Sequence, residues 1–429
     1  MPTQNPGPPR ELLLASFRAA LSAADPLKIV PAHLPQPPRG RTLVVGAGKA
    51  AAAMALAVEQ HWPADAPLDG LVITRYQHGL LTNRVTVIEA GHPVPDASGE
   101  KAAHEIFRRA RALGKDDLLL VLVSGGGSSL LSLPTEGLGI EDLRAATREL
   151  LRCGAPIQAI NTVRKHLSAI QGGRLAAASK APVLALLISD VTGDDPTHIA
   201  SGPCAPDPTT YADALDVLRR YDVPVPPSVA DLLARGAKGA VAETPKAGDP
   251  IFRRVENRVI ASAQQSLQAA ADFFAAQHVT PAILGDSVTG EARDVARVYG
   301  ALAQQVRRHG TPWRAPVALI SGGECTVTMR GNGRGGRCAE FLLALALNLD
   351  GADRVHALAC DTDGIDGSED NAGAVVAPDT LARARSLDLR ADHMLHDNDS
   401  YGFFSALGDL IVTGPTRTNV NDYRAILVL

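Results

Sequence analysis

Three short aliphatic runs in this chain end directly in glycine, and that pattern restricts the fold more than any other feature. Residues 43–45 run into Gly46-Ala47-Gly48-Lys49-Ala50. Residues 118–123 run into Ser124-Gly125-Gly126-Gly127-Ser128-Ser129, and 317–320 into Ser321-Gly322-Gly323-Glu324. Apolar runs without alternation are strands covered on both faces, the habit of parallel sheets. Further strands are expected at 71–74, 85–89 and 183–189. After residue 250 they are expected at 258–261, 281–284, 316–320, 355–359 and 409–412. Helical periodicity at 12–24, 50–60, 99–113, 140–152, 157–178, 264–277, 291–308 and 336–349 separates them. The alternation predicts an α/β chain of three-layer domains with mainly parallel sheets. Residues 236–250 are small, polar and aperiodic and read as a linker. Two domains are therefore expected, 1–240 and 241–429, with the cleft between them as the natural site.

The charge balance excludes one class of partner. A formal net charge of −4 over 429 residues leaves no basic field for nucleic acid. A small anionic substrate then needs locally placed Lys or Arg. The cysteines, Cys153, Cys204, Cys325, Cys338 and Cys360, are odd in number and form no CxxC pair. A reducing, cytoplasmic compartment is expected, with neither disulfide framework nor zinc site. Residues 1–10 are polar and proline-rich. No apolar run reaches the roughly 18 residues of a membrane span. The first apolar stretch, 12–21, contains Arg18 and reads as an amphipathic helix, not a signal peptide.

Glycines at strand ends let backbone N–H groups approach an anion closely, and in open α/β sheets ligands bind at those ends. The first turn fits Gly-x-Gly-x-x-Ala through Gly46, Gly48 and Ala51, but the next strand is followed by Arg75 and not by an acid for a ribose. No GxxxxGK[ST] occurs either. Lys49 and Arg337 are expected in the first turns of helices, where the dipole disfavours cations. Either both side chains extend into solvent, or a bound anion explains them, Lys as a point charge and Arg as a bidentate clamp. Acids gather at other strand ends: Asp190, Glu324, and the run Asp361-Thr362-Asp363-Gly364-Ile365-Asp366. Such carboxylates can hold Mg²⁺, although Asp and Gly also simply build turns. The last run is no calcium loop, because position 12 counted from Asp361 is Ala372. Arg164, Lys165 and Ser168 either line a phosphate path or form a solvated basic face. His92 and His198 stand isolated, which favours a structural role.

Taken together and in order, these motifs resemble the class II glycerate 2-kinases, whose C-terminal part is the MOFRL domain. The resemblance spans nearly the whole chain. It is carried by GAGKA at 46, EAGHPVPD at 89, SGGGSS at 124, INTVRKHLS at 160, SDVTGDD at 189 and IASGPCAPDP at 199. It continues through SGGE at 321, GRGGR at 333, DTDGIDG at 361 and TGPTRTNVND at 413. It implies two Rossmann-like domains, an N-terminal kinase domain and a C-terminal domain containing the MOFRL region. It also implies ATP- and Mg²⁺-dependent phosphorylation of D-glycerate at the C2 hydroxyl. Lys49 and Arg337 match its catalytically important lysine and arginine. Two departures stand out. Cys338-Ala339-Glu340 replaces the usual Asn-Gln-Glu, and Arg417 stands where glycine is common.

The expected mechanism is direct in-line transfer, dominated by positioning and charge. Lys49 and Arg337 stabilise the moving phosphoryl group or hold the glycerate carboxylate. Asp190 accepts the hydroxyl proton, and Asp190, Glu324 and Asp361 are the metal candidates. The nucleotide candidates are Gly46, Gly48, Ser124, Gly125, Gly126, Gly127, Ser128, Ser129 and, in the last motif, Asn421. Two rivals stay open: an NAD(P)H-dependent hydroxypyruvate reductase and a non-catalytic sugar-phosphate-binding protein. Neither a nucleic-acid nor a membrane partner is expected, and a homo-oligomer is left open.

Overall fold

A computed structural model describes residues 8–429. The opening residues 1–7, most of the polar, proline-rich start, lie outside the described residues. Twelve strands are described: β1 Thr42–Ala47, β2 Leu68–Arg75, β3 Val85–Ala90, β4 Leu118–Val123, β5 Val183–Ile188, β6 Val255–Ala261, β7 Thr280–Gly285, β8 Val317–Ser321, β9 Val355–Asp361, β10 Gly373–Val376, β11 Leu410–Ile411 and β12 Asp422–Val428. They form two six-stranded sheets, ordered β3-β2-β1-β4-β5-β6 and β11-β10-β9-β12-β8-β7.

The first sheet has parallel pairing at β1–β2, β1–β4, β2–β3 and β4–β5. Its order is that of the dinucleotide-binding α/β sheet, which reverses between β1 and β4. The central strands are buried throughout, as their unbroken aliphatic sequences require. The helices Ala51–His61, Ala97–Arg111 and Ile140–Arg152 follow the expected periodicity closely, the last with the expected bounds. The helix expected over 157–178 is broken into Ile157–Leu167 and Arg174–Ala178. Extended Ser168, at φ −107° and ψ 140°, ends the first piece, and left-handed Gly172 and Gly173, at φ 59° and 80°, lead into the second.

In the second sheet β7, β8, β9 and β11 point one way and β10 and β12 the other. The β7–β8 pair is parallel, while β12 is antiparallel to both β8 and β9. Strands β10 and β12 were not among those expected. The helix Arg337–Leu349 is apolar almost all round and packs beneath this sheet.

The described chain divides into two compact units, Pro26–Ile260 and residues 8–25 together with Ala261–Leu429. The crossings fall at 25–26 and 260–261 rather than at 240, for two reasons. The first helix, Pro9–Ala23, buries Leu12, Leu13 and Phe17 against Phe274, Tyr423 and Leu427, so it joins the C-terminal unit. The expected linker is fastened within the N-terminal unit. Glu243 accepts the Tyr211 N–H at 2.9 Å, Pro245 O accepts the Asp207 N–H at 2.9 Å, and β6 then completes the first sheet.

Candidate functional site

In the N-terminal unit, two glycine turns meet at the carboxyl ends of the adjacent strands β1 and β4. A Cβ on Gly46 would lie 2.0 Å from Leu122 O, and one on Gly48 (φ 141°) would lie 2.1 Å from Ser124 Oγ. Glycine is needed at both positions because the β4 backbone and its turn press against them. The N–H groups of the first turn are consumed inside the protein. Gly48 donates to Ile73 O, Lys49 to Gly125 O at 2.8 Å, and Ala50 to Ser124 Oγ at 2.9 Å. The pyrophosphate cradle of a dinucleotide-binding turn is therefore occupied by the neighbouring turn. In that second turn, by contrast, the N–H groups of Gly125 and Gly126 form no hydrogen bond among the described residues. The unbonded donors thus belong to the second turn. Gly126 (φ 81°) faces His92 and the Lys49 stem: an added Cβ would sit 2.8 Å from His92 Cδ2 and 3.5 Å from Lys49 Cγ. Gly127 is hemmed in by Ala200 and Ala47 O.

Lys49 precedes its helix, which starts at Ala51 with Ala50 as N-cap, so it is not in the first turn as expected. The dipole argument for it weakens accordingly, while its place beside Gly126 remains. Ser128 Oγ lies 2.9 Å from Ser201 Oγ, which donates to Asn161 Oδ1 at 3.2 Å. Ser129 Oγ donates to Gly126 O. Ala200, Ser201 and Gly202 are all left-handed, at φ 49°, 58° and 58°. Non-glycine residues held there cost roughly 1 kcal/mol or more each, and such strain concentrates at functional positions. Three motifs separated in sequence, at 124, 160 and 199, thereby converge on Ser128. Asp190 stands two residues beyond β5, at the same sheet edge.

Lys165 lines no phosphate path. It is fully buried with Nζ 2.6 Å from Asp207 Oδ1. His166 beside it has its pKa lowered by burial, against the pull of Asp207 and Glu243. Ser168 ends the helix and accepts the N–H groups of Ile170 and Gln171.

The C-terminal unit carries a second polar centre. Arg337 opens the helix Arg337–Leu349 immediately after its N-cap, Gly336, as expected. Its guanidinium meets three carboxylates: Nε to Asp422 Oδ1 at 2.8 Å, Nη2 to Asp361 Oδ2 at 2.7 Å, and Nη1 to Glu324 Oε1 at 2.8 Å. Burial alone would lower its pKa, but Asp422, Asp361 and Glu324 together raise it well above the ordinary arginine value. A cation at a helix N-terminus is thus explained here by protein carboxylates. Beneath it Arg424, fully buried over the Phe341 ring, pairs with Asp422 and donates to the carbonyls of Gly322 and Gly323 in the third glycine turn. Sequence reasoning passed over Asp422 and Arg424, although Asp422 closes the TGPTRTNVND motif.

The metal candidates do not form a cage. Glu324 and Asp361 are turned to Arg337, Asp361 Oδ1 also accepts the Asp363 N–H, and Asp190 belongs to the other unit. Among the described residues no three His, Cys, Asp or Glu side chains converge as a metal site. The residues therefore do not fit a resident metal. Asn421 is buried in a left-handed turn (φ 66°), where its carbonyl accepts from Thr362 N and Oγ1. It shapes the entry to β12. Asp366, fully buried, accepts the N–H groups of Cys338 at 3.0 Å and Ala339 at 2.8 Å. The departure from Asn-Gln is tolerated at this helix start because those contacts are to backbone. Burial, with Asp422 nearby, pushes Asp366 up to about 7. Glu340 meets Arg293 and Asn398 in the same core.

With this geometry in view, the likenesses are specific. Residues 12–234 match a domain of unknown function, DUF4147, and residues 317–422 match the MOFRL family. A glycerate 2-kinase of Pyrococcus horikoshii is 39% identical over 96% of each chain. The chain belongs to the MOFRL-domain glycerate kinase family. Within this family, the crystal structure of a Thermotoga maritima glycerate kinase superimposes with a TM-score of 0.86 at 36% identity, covering 98% of this chain and 99% of that one. An Agrobacterium vitis relative, 50% identical over 98% of this chain and 94% of its own length, bears a hydroxypyruvate reductase name.

Proposed function

We propose that this protein is an ATP-dependent glycerate 2-kinase, transferring the γ-phosphoryl group of ATP to the C2 hydroxyl of D-glycerate. The observation that carries the reading is the pair of turns at β1 and β4. The first, which a dinucleotide enzyme would use for pyrophosphate, has its N–H groups occupied. The second keeps the Gly125 and Gly126 N–H groups for an anion, with Lys49 beside them. The names borne by the family's kinases supply the acceptor.

In the transfer, the C2 oxygen forms a bond to the γ-phosphorus as the bond to the β–γ bridging oxygen breaks, releasing ADP. The hydroxyl proton passes to Asp190 at the end of β5. Lys49 and the second turn neutralise charge on the phosphoryl oxygens, where positioned donors contribute most of the catalysis. Arg337 organises the acids of the C-terminal unit. Mg²⁺ bound to ATP would supply screening of the phosphate charge, with no resident protein site required for it. Soluble, cytoplasmic residence fits a chain whose described residues include no helix long and apolar enough to cross a membrane.

Purified protein should form ADP from D-glycerate and MgATP, and the product should feed enolase directly. A strict need for phosphoglycerate mutase in that coupling would move the phosphate to C3. Oxidation of NADH by hydroxypyruvate without ADP formation would overturn the kinase reading. That outcome would favour the reductase name of the Agrobacterium relative.

A further inference from the structure

One half-buried cation in the N-terminal unit has no partner among the described residues. Arg164 lies on the helix Ile157–Leu167 and lines a small cavity with Ser128, Ser129, Thr147, Ser168 and Gln171. Its guanidinium makes no hydrogen bond or ion pair among the described residues. Burial pulls its pKa down to about 10, and no carboxylate opposes that pull. Other buried cations differ: Lys165 meets Asp207, Arg293 meets Glu340 and Arg424 meets Asp422. Thr147, 5% exposed, also forms no hydrogen bond through its hydroxyl among the described residues. A desolvated, unmatched charge costs several kcal/mol, so folds keep one where a ligand supplies the counter-charge.

We propose that this cavity is the subsite for the carboxylate of the acceptor hydroxy acid, with Arg164 as its counter-ion. The inference rests on the kinase reading above and adds the residue that selects an acid over a neutral alcohol. Three observations favour a carboxylate over a nucleotide phosphate. The cavity, of about 20 Å³, holds a group of a few atoms and not a triphosphate. Apart from Ser132 its remaining wall is apolar, including Leu143 and Leu150, which strengthens a single ion pair and suits no second anionic group. The planar guanidinium fork matches a carboxylate bidentately. Ser128 and Ser129 border both this cavity and the glycine turn. In an α-hydroxy acid the hydroxyl is on the carbon next to the carboxyl group. Seating the carboxylate on Arg164 therefore keeps the C2 oxygen near the turn where the phosphoryl group would rest. The left-handed Ser201 that holds Ser128 then has a purpose: it fixes the wall shared by the two subsites.

The test uses the full chain with Arg164→Gln and Arg164→Lys. In steady-state assays both should raise KM for D-glycerate by roughly 10- to 100-fold, the loss expected for a hydrogen-bonded charge pair. KM for ATP should stay within about twofold, and discrimination between glycerate and glycerol should narrow. Thermal melts should show Arg164→Gln at least as stable as wild type, since it removes an unmatched, partly desolvated charge. A structural arginine would instead lower the melting temperature. Calorimetric titration with D-glycerate alone should give binding to wild type and none to Arg164→Gln. A rise in KM for ATP alone would assign the cavity to phosphate and overturn the proposal. So would unchanged glycerate KM, or binding retained by Arg164→Gln. If wild type binds glycerate but transfers no phosphoryl group to it, the kinase reading fails while the subsite stands.

Discussion

Replacing Arg337 with glutamine should cost stability before any question of catalysis arises. The guanidinium neutralises Asp422 and Asp361, whose side chains are 0% and 4% exposed, and Glu324, which is 55% exposed. The exposed pair contributes under about 1 kcal/mol, because solvent screens it. Asp422 retains Arg424 as a second partner. Asp361 keeps the Asp363 N–H but loses the guanidinium at 2.7 Å, so the main loss falls on this buried carboxylate. Breaking a buried pair from one side costs about 3–5 kcal/mol. For a unit of this size that is a fall in melting temperature of roughly 6–20 °C. Differential scanning calorimetry of wild type, Arg337→Gln and the Arg337→Gln/Asp361→Asn double variant would measure it. The double variant should recover much of the loss, because it removes the buried negative charge together with its cation. A single variant destabilised by less than about 1 kcal/mol would refute the reasoning. Arg337 would then be a cation held for a ligand, with the three carboxylates only loosely attached.

Lys49→Ala should lower kcat by roughly 100-fold or more with little change in thermal stability, since Lys49 lies outside the helix and packs through its stem. Near-normal kcat in that variant would remove Lys49 from the mechanism. Asp366→Asn should flatten the pH dependence of stability. Its folded pKa, raised to about 7, means the native state holds a proton that the unfolded chain releases near 4. That contribution is present below pH 4 and lost as pH rises toward 7, a span on the order of 4 kcal/mol, and denaturant titrations at pH 5 and 8 would read it. Lys165→Met should destabilise by about 3–5 kcal/mol through the fully buried Asp207, and Asp207→Leu in the same chain should restore most of it, again by denaturant titration. Arg417→Gly should stabilise by up to about 1 kcal/mol in the same assay, because Arg417 holds a left-handed φ of 59° that glycine adopts freely.

The N-terminal unit was legible because its strands obey one rule. Residues 43–45, 71–74, 85–89, 118–123 and 183–189 all lie within or beside observed strands, since a parallel sheet buried on both faces writes itself as aliphatic runs. The C-terminal sheet hid β12 for a physical reason. Asp422, Tyr423 and Arg424 make that strand look polar at its start, yet Arg424 is 1% exposed. Its charge is cancelled by Asp422 and by carbonyls about a hundred residues earlier, so only the fold makes the strand apolar in effect. β10 was missed because four small residues carry no periodicity. The 236–250 segment looked like a linker because its fastening, through Glu243 and Pro245, is to residues more than thirty positions away.

The same distinction separates the candidate residues. A sequence shows where charges are but not which of them are cancelled. Lys165, Glu324, Asp361 and Arg337 all looked like ligand-binding groups, and the fold supplies each with an opposite charge of its own. Once those pairs are set aside, the groups of the N-terminal unit left uncommitted include the Gly125 and Gly126 N–H groups, the Thr147 hydroxyl and Arg164, the last two on the cavity that Ser128 and Ser129 border. Two neutral backbone donors suit phosphoryl oxygens that arrive with their own counter-ion. A desolvated guanidinium suits a single carboxylate that arrives without one. An enzyme joining ATP to a small hydroxy acid needs one site of each kind, separated by little more than one carbon–carbon bond. Ser128 and Ser129, common to both walls, set that separation.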